Sequence, residues 1–297
     1  MTDKVLSHDI KEIIACRNAN YVLPKELEKY CVDKYINDNT NCNFSFAKDI
    51  EKIARLHADG INPNDIAIMN MIRCELNKMN HGNYKEHIAI LKSLSFSNED
   101  HFNKLAQDLI AQAMNDPTVI RNTIESEGNN TPSDIYVSVI VDFSDFSIQC
   151  ENRAIKFKTV FLSRLLDKFK EFTDVYLKLD TNNQHSINIY KGLMNMIGLL
   201  YNREYISEEF VMKILEKITS IIVSGNIPVL ESDNYYSGYE KITNCVLKHD
   251  KKNTNFTKLC EYIVTLNKQI TESNGLRKFS RETHAENSEK IKLLAKP

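Results

Sequence analysis

The stretch Arg73–His87, RCELNKMNHGNYKEH, contains the corner from which the predicted fold is built. The apolar residues that lead into it recur three and four positions apart, as on one face of a helix: Met69, Ile72, Leu76 and Met79. Asn80-His81-Gly82 stops this helix, because Asn and Gly favour the backbone of a helix end. Asn83 is a favourable N-cap for a second helix. The stretch therefore predicts two helices joined by a short turn.

The rest of the chain has the same pattern. Only 8 Gly and 6 Pro interrupt the 297 residues, strand signals are nearly missing, and two further apolar stripes have helical spacing, within 157–169 and 210–222. Other helices are predicted at 8–17, 24–36, 46–58, 63–80, 83–94, 98–115, 117–127, 132–149, 186–202, 236–249, 255–272 and 283–294. About fourteen helices with short polar loops predict an all-α protein, either an α-solenoid of antiparallel helical pairs or a globular bundle.

Composition excludes several classes of protein. The 38 basic and 40 acidic residues give a net charge of -2, so no overall field attracts nucleic acid. The longest apolar runs are a few residues, and the start MTDKVLSHDI lacks a signal-peptide pattern, so we expect a soluble chain that is not secreted. The seven cysteines are scattered and never spaced C-x-x-C, which favours a reducing compartment over a disulfide framework or a zinc knuckle.

Two interruptions organise the chain. The polar segment Ile36–Asn43, INDNTNCN, separates an N-terminal arm, residues 1–43, from the main body, residues 44–297. The stretch Asn226–Tyr239, NIPVLESDNYYSGY, is the longest loop-like break within the body and is predicted to be a surface loop.

No enzyme or metal signature is present in the sequence. It has no Walker loop, no G-x-G-x-x-G, no H-E-x-x-H and no G-x-S-x-G, so we predict no catalytic residue and no cofactor. Cys74, His81 and His87 lie close in sequence, but two ligands on one helix need a spacing of three or four. His81 and His87 are six apart with Gly82 between them, and the sequence therefore predicts no metal site there.

Four segments, of which LNKMNHGNY at Leu76–Tyr84 is the first, resemble in order the middle domain of eukaryotic translation initiation factor 4G. LNKMNHGNY, Leu76–Tyr84, resembles its Leu-Asn-Lys-Leu-Thr turn with a following aromatic, although Met79 and Tyr84 replace Leu and Phe. His101–Val119 resembles its second-repeat helix with an acidic-Pro ending, Phe157–Phe172 its helix with a Ser-Arg pair, and Gly192–Leu215 its Gly-containing helix followed by a Ser-Glu helix. The best match spans residues 65–250. The abundance of Asn and Ile without Trp is typical of an AT-rich genome, which favours a short protist or viral version.

The resemblance implies a crescent of five HEAT-type helical pairs that is not an enzyme and that binds a DEAD-box helicase of the initiation factor 4A type. Carried over residue by residue, it implies an exposed apolar knob with polar flanks as the helicase contact, formed by Leu76, Asn77, Lys78, Met79 and Tyr84. Periodicity alone favours the alternative, in which Leu76 and Met79 fill the core. The resemblance also implies binding of mRNA without sequence preference, at Arg164 and Lys168. Acidic residues among these basic ones equally fit a solvated surface.

The arm carries a second, weaker resemblance. SHDIKEIIACRNANYVLPKEL, Ser7–Leu27, resembles the helix by which factor 4G docks on the cap-binding protein, factor 4E, with His8 in place of its Tyr. The implied contacts are His8, Ile13, Ile14 and Arg17. The alternative is an ordinary amphipathic helix that folds back on the body.

Three functions remain open from the sequence. The first is a cytoplasmic translation initiation scaffold that joins a helicase, a cap-binding protein and mRNA. The second is an adaptor of the same fold for another DEAD-box helicase, in mRNA splicing, decay or nuclear cap binding. The third is a helical enzyme whose active site has no sequence signature.

Overall fold

The computed structural model describes residues 63–115, 132–150, 153–174, 183–248, 254–273 and 275–295. By internal contacts the chain divides into Met1–Ala67 and Ile68–Pro297, and the architecture below is that of the second unit. The arm, residues 1–43, and the predicted helices 8–17, 24–36, 46–58 and 117–127 lie outside the described residues.

The described ranges contain ten helices and one β-hairpin. The elements are α1 (Pro63–Lys78), α2 (Tyr84–Ser93), α3 (Glu99–Met114), α4 (Pro132–Asp142), β1 (Ser147–Cys150), β2 (Arg153–Lys156), α5 (Phe157–Thr173), α6 (Gln184–Asn202), α7 (Glu208–Val223), α8 (Val229–Leu247), α9 (Thr254–Ser273) and α10 (Lys278–Leu294). None of these helices is long and apolar enough to cross a lipid bilayer.

The helices pack in two layers. In one layer α4 packs on α2, α6 on α4, α8 on α6 and α10 on α8; in the other α5 packs on α3, α7 on α5 and α9 on α7. Contacts such as α3 with α4, α7 with α8 and α9 with α10 join the layers around one hydrophobic core, which runs from Ile72 to Ile291. In a helical solenoid each repeat covers the apolar face of its neighbour in this way. The predicted all-α solenoid is confirmed.

The helices α6 and α8 approach closely because glycines lie between them. A Cβ on Gly238 of α8 would stand 2.5 Å from the ring of Tyr190, and one on Gly198 of α6 would stand 2.5 Å from the Cys245 sulfur. Real Cβ atoms do not come this close to other atoms, so a larger residue would force the helices apart. Residue numbers rise together along the two helices at these contacts, so alternate helices run parallel here.

The prediction of one helix over 132–149 is wrong in its second half. Helix α4 ends at Asp142, and an antiparallel hairpin follows in which Ile148 faces Ile155. Both isoleucines are buried while their neighbours along the strands are mostly exposed, which is the alternation of a half-buried strand. Phe146, before β1, packs against Phe143 and Phe102, so the hairpin is anchored in the core by aromatic contacts.

The prediction of a surface loop over Asn226–Tyr239 is wrong from Val229 onward. Helix α8 begins at Val229, and its three tyrosines are buried: Tyr235, Tyr236 and Tyr239. The hydroxyl of Tyr235 donates to the backbone oxygen of Phe172 at 2.7 Å, and that of Tyr239 donates to Oδ1 of Asn267 at 2.7 Å. The segment has many polar residues, but it can still be buried because its polar side chains form hydrogen bonds with other helices.

Candidate functional site

The first corner, residues Arg73–His87, is a helix-turn-helix as predicted. Helix α1 ends at Lys78 and α2 begins at Tyr84. Asn83 occupies the N-cap position, but its side chain makes no capping bond to α2. Its Oδ1 instead accepts from the backbone N–H of Asn80 at 2.7 Å, and its Nδ2 donates to the backbone oxygen of Lys78 at 3.0 Å. The Asn83 side chain therefore closes the turn onto the end of α1.

The resemblance implies that Leu76 and Met79 form an exposed apolar knob, and this prediction is wrong for both residues. Leu76 is 0% exposed and Met79 is 8% exposed. Both belong to the hydrophobic core, together with Ile72 one turn earlier. Three- and four-residue spacing places these side chains on the buried face of α1, so the interpretation from periodicity holds and neither side chain is available to a partner.

The remaining residues of the implied helicase contact lie at the surface. Asn77 and Lys78 are exposed, and Tyr84 is half-buried against the core. Oδ1 of Asn77 accepts a hydrogen bond from Nε2 of Gln112 on α3 at 2.6 Å, which fixes the Asn77 side chain between two helices. Any contact made here is mainly polar: an amide, an ammonium and one aromatic ring.

Glu75 is a residue of the corner that the sequence reasoning missed. It is 9% exposed, and its Oε2 lies 2.7 Å from Nδ1 of His87 on α2. Its Oε1 accepts a hydrogen bond from Nζ of Lys78 at 3.4 Å. One buried carboxylate thus connects both helices of the corner with an exposed lysine. Its position in the sequence could have indicated its burial, because Glu75 lies three residues after Ile72 and four before Met79, within the apolar stripe.

The two residues implied in RNA binding lie on α5 and already have partners. Nε of Arg164 donates to Oδ1 of Asn103 at 2.9 Å, and its Nη1 donates to Asp167 at 3.4 Å. Lys168 pairs with Glu171 and also lies over the ring of Phe172, 5.6 Å from its centroid. Phosphate binding would have to compete with these ion pairs, which is a feature of a solvated mixed-charge surface.

The Cys and His residues of the corner do not converge. Cys74 is exposed, His81 lies in the exposed turn, and His87 is bound to Glu75. Within the described ranges no three His, Cys, Asp or Glu side chains are grouped so as to hold a metal ion. The implied cap-binding-protein contacts, His8, Ile13, Ile14 and Arg17, lie outside the described residues.

Similarity to known proteins is found at the level of structure and not of sequence. No protein-family model matches the chain, and no curated protein matches its sequence. Among solved structures, the chain is similar to the crystal structure of the MIF4G domain of Trypanosoma cruzi translation initiation factor EIF4G5, with 11% sequence identity and a TM-score of 0.39. The similarity covers 76% of this chain and 96% of that domain.

Proposed function

We propose that the chain is a scaffold, not an enzyme, and that it binds a DEAD-box RNA helicase of the initiation factor 4A type in the cytoplasm. The observation that supports this most is the place of LNKMNHGNY, Leu76–Tyr84. The segment that resembles the helicase contact of factor 4G spans the end of a helix and a tight turn, and it keeps Asn77 and Lys78 exposed. A solenoid offers such corners as binding surfaces while its core stays closed.

The proposed mechanism is a shift in the population of helicase conformations. A scaffold that contacts two helicase lobes favours the relative orientation of the lobes in which both contacts are made. It can shift the balance between two orientations only as far as its affinities for them differ, and helicase turnover follows that shift. Because Leu76 and Met79 are buried, the contact at the first corner is small and polar. Small contacts suit a partner that must open and close in each cycle.

The test is binding to a purified helicase of the 4A type, with and without Asn77→Ala combined with Lys78→Glu. We expect the double variant to bind at least about tenfold more weakly, which corresponds to about 1.4 kcal/mol. Lys217→Glu on α7 is the matched control, because Lys217 is also an exposed helical lysine. Equal affinity of all three proteins would remove the first corner from the interface, and no binding by the wild-type chain would reject the proposed partner.

Two further partners belong to the same proposal. A cap-binding protein of the factor 4E type would dock on His8, Ile13, Ile14 and Arg17, and a pulldown that is unchanged by Ile13→Asp with Ile14→Asp would reject it. RNA would contact Arg164 and Lys168, and an RNA affinity that does not depend on salt would reject phosphate contacts. Co-purification from native cells distinguishes an initiation scaffold from an adaptor for splicing, decay or nuclear cap binding, because different helicases would be recovered.

A further inference from the structure

Glu75 is a buried carboxylate that contacts a half-buried histidine and an exposed lysine. Its side chain is 11% exposed and that of His87 is 13% exposed, whereas the side chain of Lys78 is 63% exposed. Each carboxylate oxygen has its own partner: Oε2 meets His87 at 2.7 Å and Oε1 meets Lys78 at 3.4 Å. The geometry therefore connects the position of the lysine ammonium to the joint between α1 and α2.

A restrained lysine binds differently from a free one. A lysine side chain loses much rotamer freedom when a partner fixes it, and this loss opposes binding. A carboxylate that is itself held by a second helix restricts the ammonium before the partner arrives. The contact with Nδ1 of His87 holds the Glu75 carboxylate from a second helix, because His87 lies twelve positions further along the chain, on α2.

We infer that Glu75 is a positioning residue, which holds Lys78 in the orientation that the protein partner recognises. The inference rests on the proposed function for its partner, but its geometry lies entirely within the first corner. Glu75 itself does not contact the partner, because it is 9% exposed. The role belongs to this chain's own pair of residues, Glu75 and His87, which the resemblance does not include.

The experiment replaces the buried pair while keeping the corner folded. Glu75→Leu with His87→Leu exchanges a largely buried polar pair for apolar side chains, a change that commonly preserves stability. We expect this double variant to keep its Tm and to bind a helicase of the 4A type about threefold to tenfold more weakly. Lys78→Met should weaken helicase binding strongly in the wild type and less in the double variant. If the losses of binding free energy from Lys78→Met and from the double variant are additive, the positioning role is overturned.

One further variant of Glu75 and one control lysine test the same contact. Glu75→Gln retains an oxygen for His87 and removes the charge that attracts Lys78, so it serves if the apolar pair fails to fold. Lys85→Met is the control for a lysine of the same corner. The order of the Lys78 ammonium, measured by NMR on ¹⁵N-lysine protein without partner, should fall in Glu75→Gln. An unchanged order would overturn the inference, whereas absence of helicase binding with a lowered order would reject only the proposed function.

Discussion

The first corner and the junction between α8 and α10 both bury an acidic side chain, but each uses it differently. At the corner, Glu75 holds a histidine and an exposed lysine. At the junction, Asp233 on α8 is 8% exposed and accepts hydrogen bonds from the backbone N–H of Arg277, at 3.1 Å, and from its guanidinium. Arg277 is the residue before α10, so Asp233 holds the start of that helix. The corner keeps a charged group exposed at a turn, while the junction secures the last helix of the stack.

The largest expected effect is the loss of stability caused by Met79→Asp. Met79 is in the core, and an unpaired carboxylate there would lose apolar burial and its own hydration. We expect a free energy of unfolding lower by more than about 3 kcal/mol, measured by urea denaturation. Asn77→Asp, two residues away and exposed, is the control and should change stability little. A Met79→Asp protein with wild-type stability would show that the Met79 side chain is exposed after all.

Asp233→Ala should have the next largest effect, and it should act on stability alone. The change leaves the N–H of Arg277 without its acceptor, so we expect a loss of about 2 kcal/mol. Thermal unfolding followed by circular dichroism measures this loss of stability. Helicase affinity, measured at a temperature where both proteins are folded, should be unchanged. A loss of binding without a loss of stability would place the junction in the interface and remove its contrast with the corner.

Tyr239→Phe tests one hydrogen bond of the same region. The change removes the hydroxyl that donates to Asn267 and leaves a buried amide oxygen without this donor. We expect a loss of about 1 kcal/mol by denaturant titration. Tyr84→Phe, at the half-buried tyrosine of the corner, is the matched control and should cost less. Equal costs would mean that the buried hydroxyl of Tyr239, which bonds α8 to α9, adds nothing to stability.

The smallest expected effect is a pH dependence through His284 on α10. Burial lowers the pKa of His284, against an opposing hydrogen bond with the backbone oxygen of Asn267 at 3.0 Å. The titratable side chain that faces it from α8 is Tyr236, uncharged in this range because burial raises its pKa. The unfolded chain takes up a proton near the ordinary histidine pKa of about 6.5, while the folded chain resists it. Stability should therefore fall as pH falls below that value.

The measurement is the Tm at a series of pH values, with His284→Leu as the comparison. The wild-type curve should fall more steeply than that of the variant between neutral and mildly acidic pH. His81→Gln, which removes an exposed histidine of the corner, should leave the slope unchanged. Identical slopes for wild type and His284→Leu would contradict the prediction.

The sequence predicts the corner better than the junction, for local reasons. The end of α1 follows from Asn80 and Gly82 and the start of α2 from Asn83, all of them neighbours in sequence. The burial of Leu76 and Met79 follows from periodicity, and only the resemblance pointed the other way. By contrast, the start of α10 at Arg277 is held by Asp233 of α8, which lies forty-four positions earlier in the chain. No window of local sequence contains that pair.

The candidate site was predictable only in outline. Its place at the Leu76–Tyr84 turn came from the sequence, but the contact of Glu75 with His87 needs both helices in position. The β-hairpin escaped for a different reason: its strands are four residues each, too short for alternation to stand out beside a helical pattern. The hairpin forms because Phe146, Ile148 and Ile155 pack against the hydrophobic core.

From α2 to α10, each helix packs on the helix two positions along, and this has a kinetic consequence. Contacts between elements close in sequence need only short loops to close, so the chain should fold quickly and from more than one starting point. Damage should remain local for the same reason, as in other repeat stacks. Hydrogen exchange in Met79→Asp should therefore show amides of α1 and α2 opening while those of α8 and α10 stay protected. The first corner would then open while the rest of the fold stays intact.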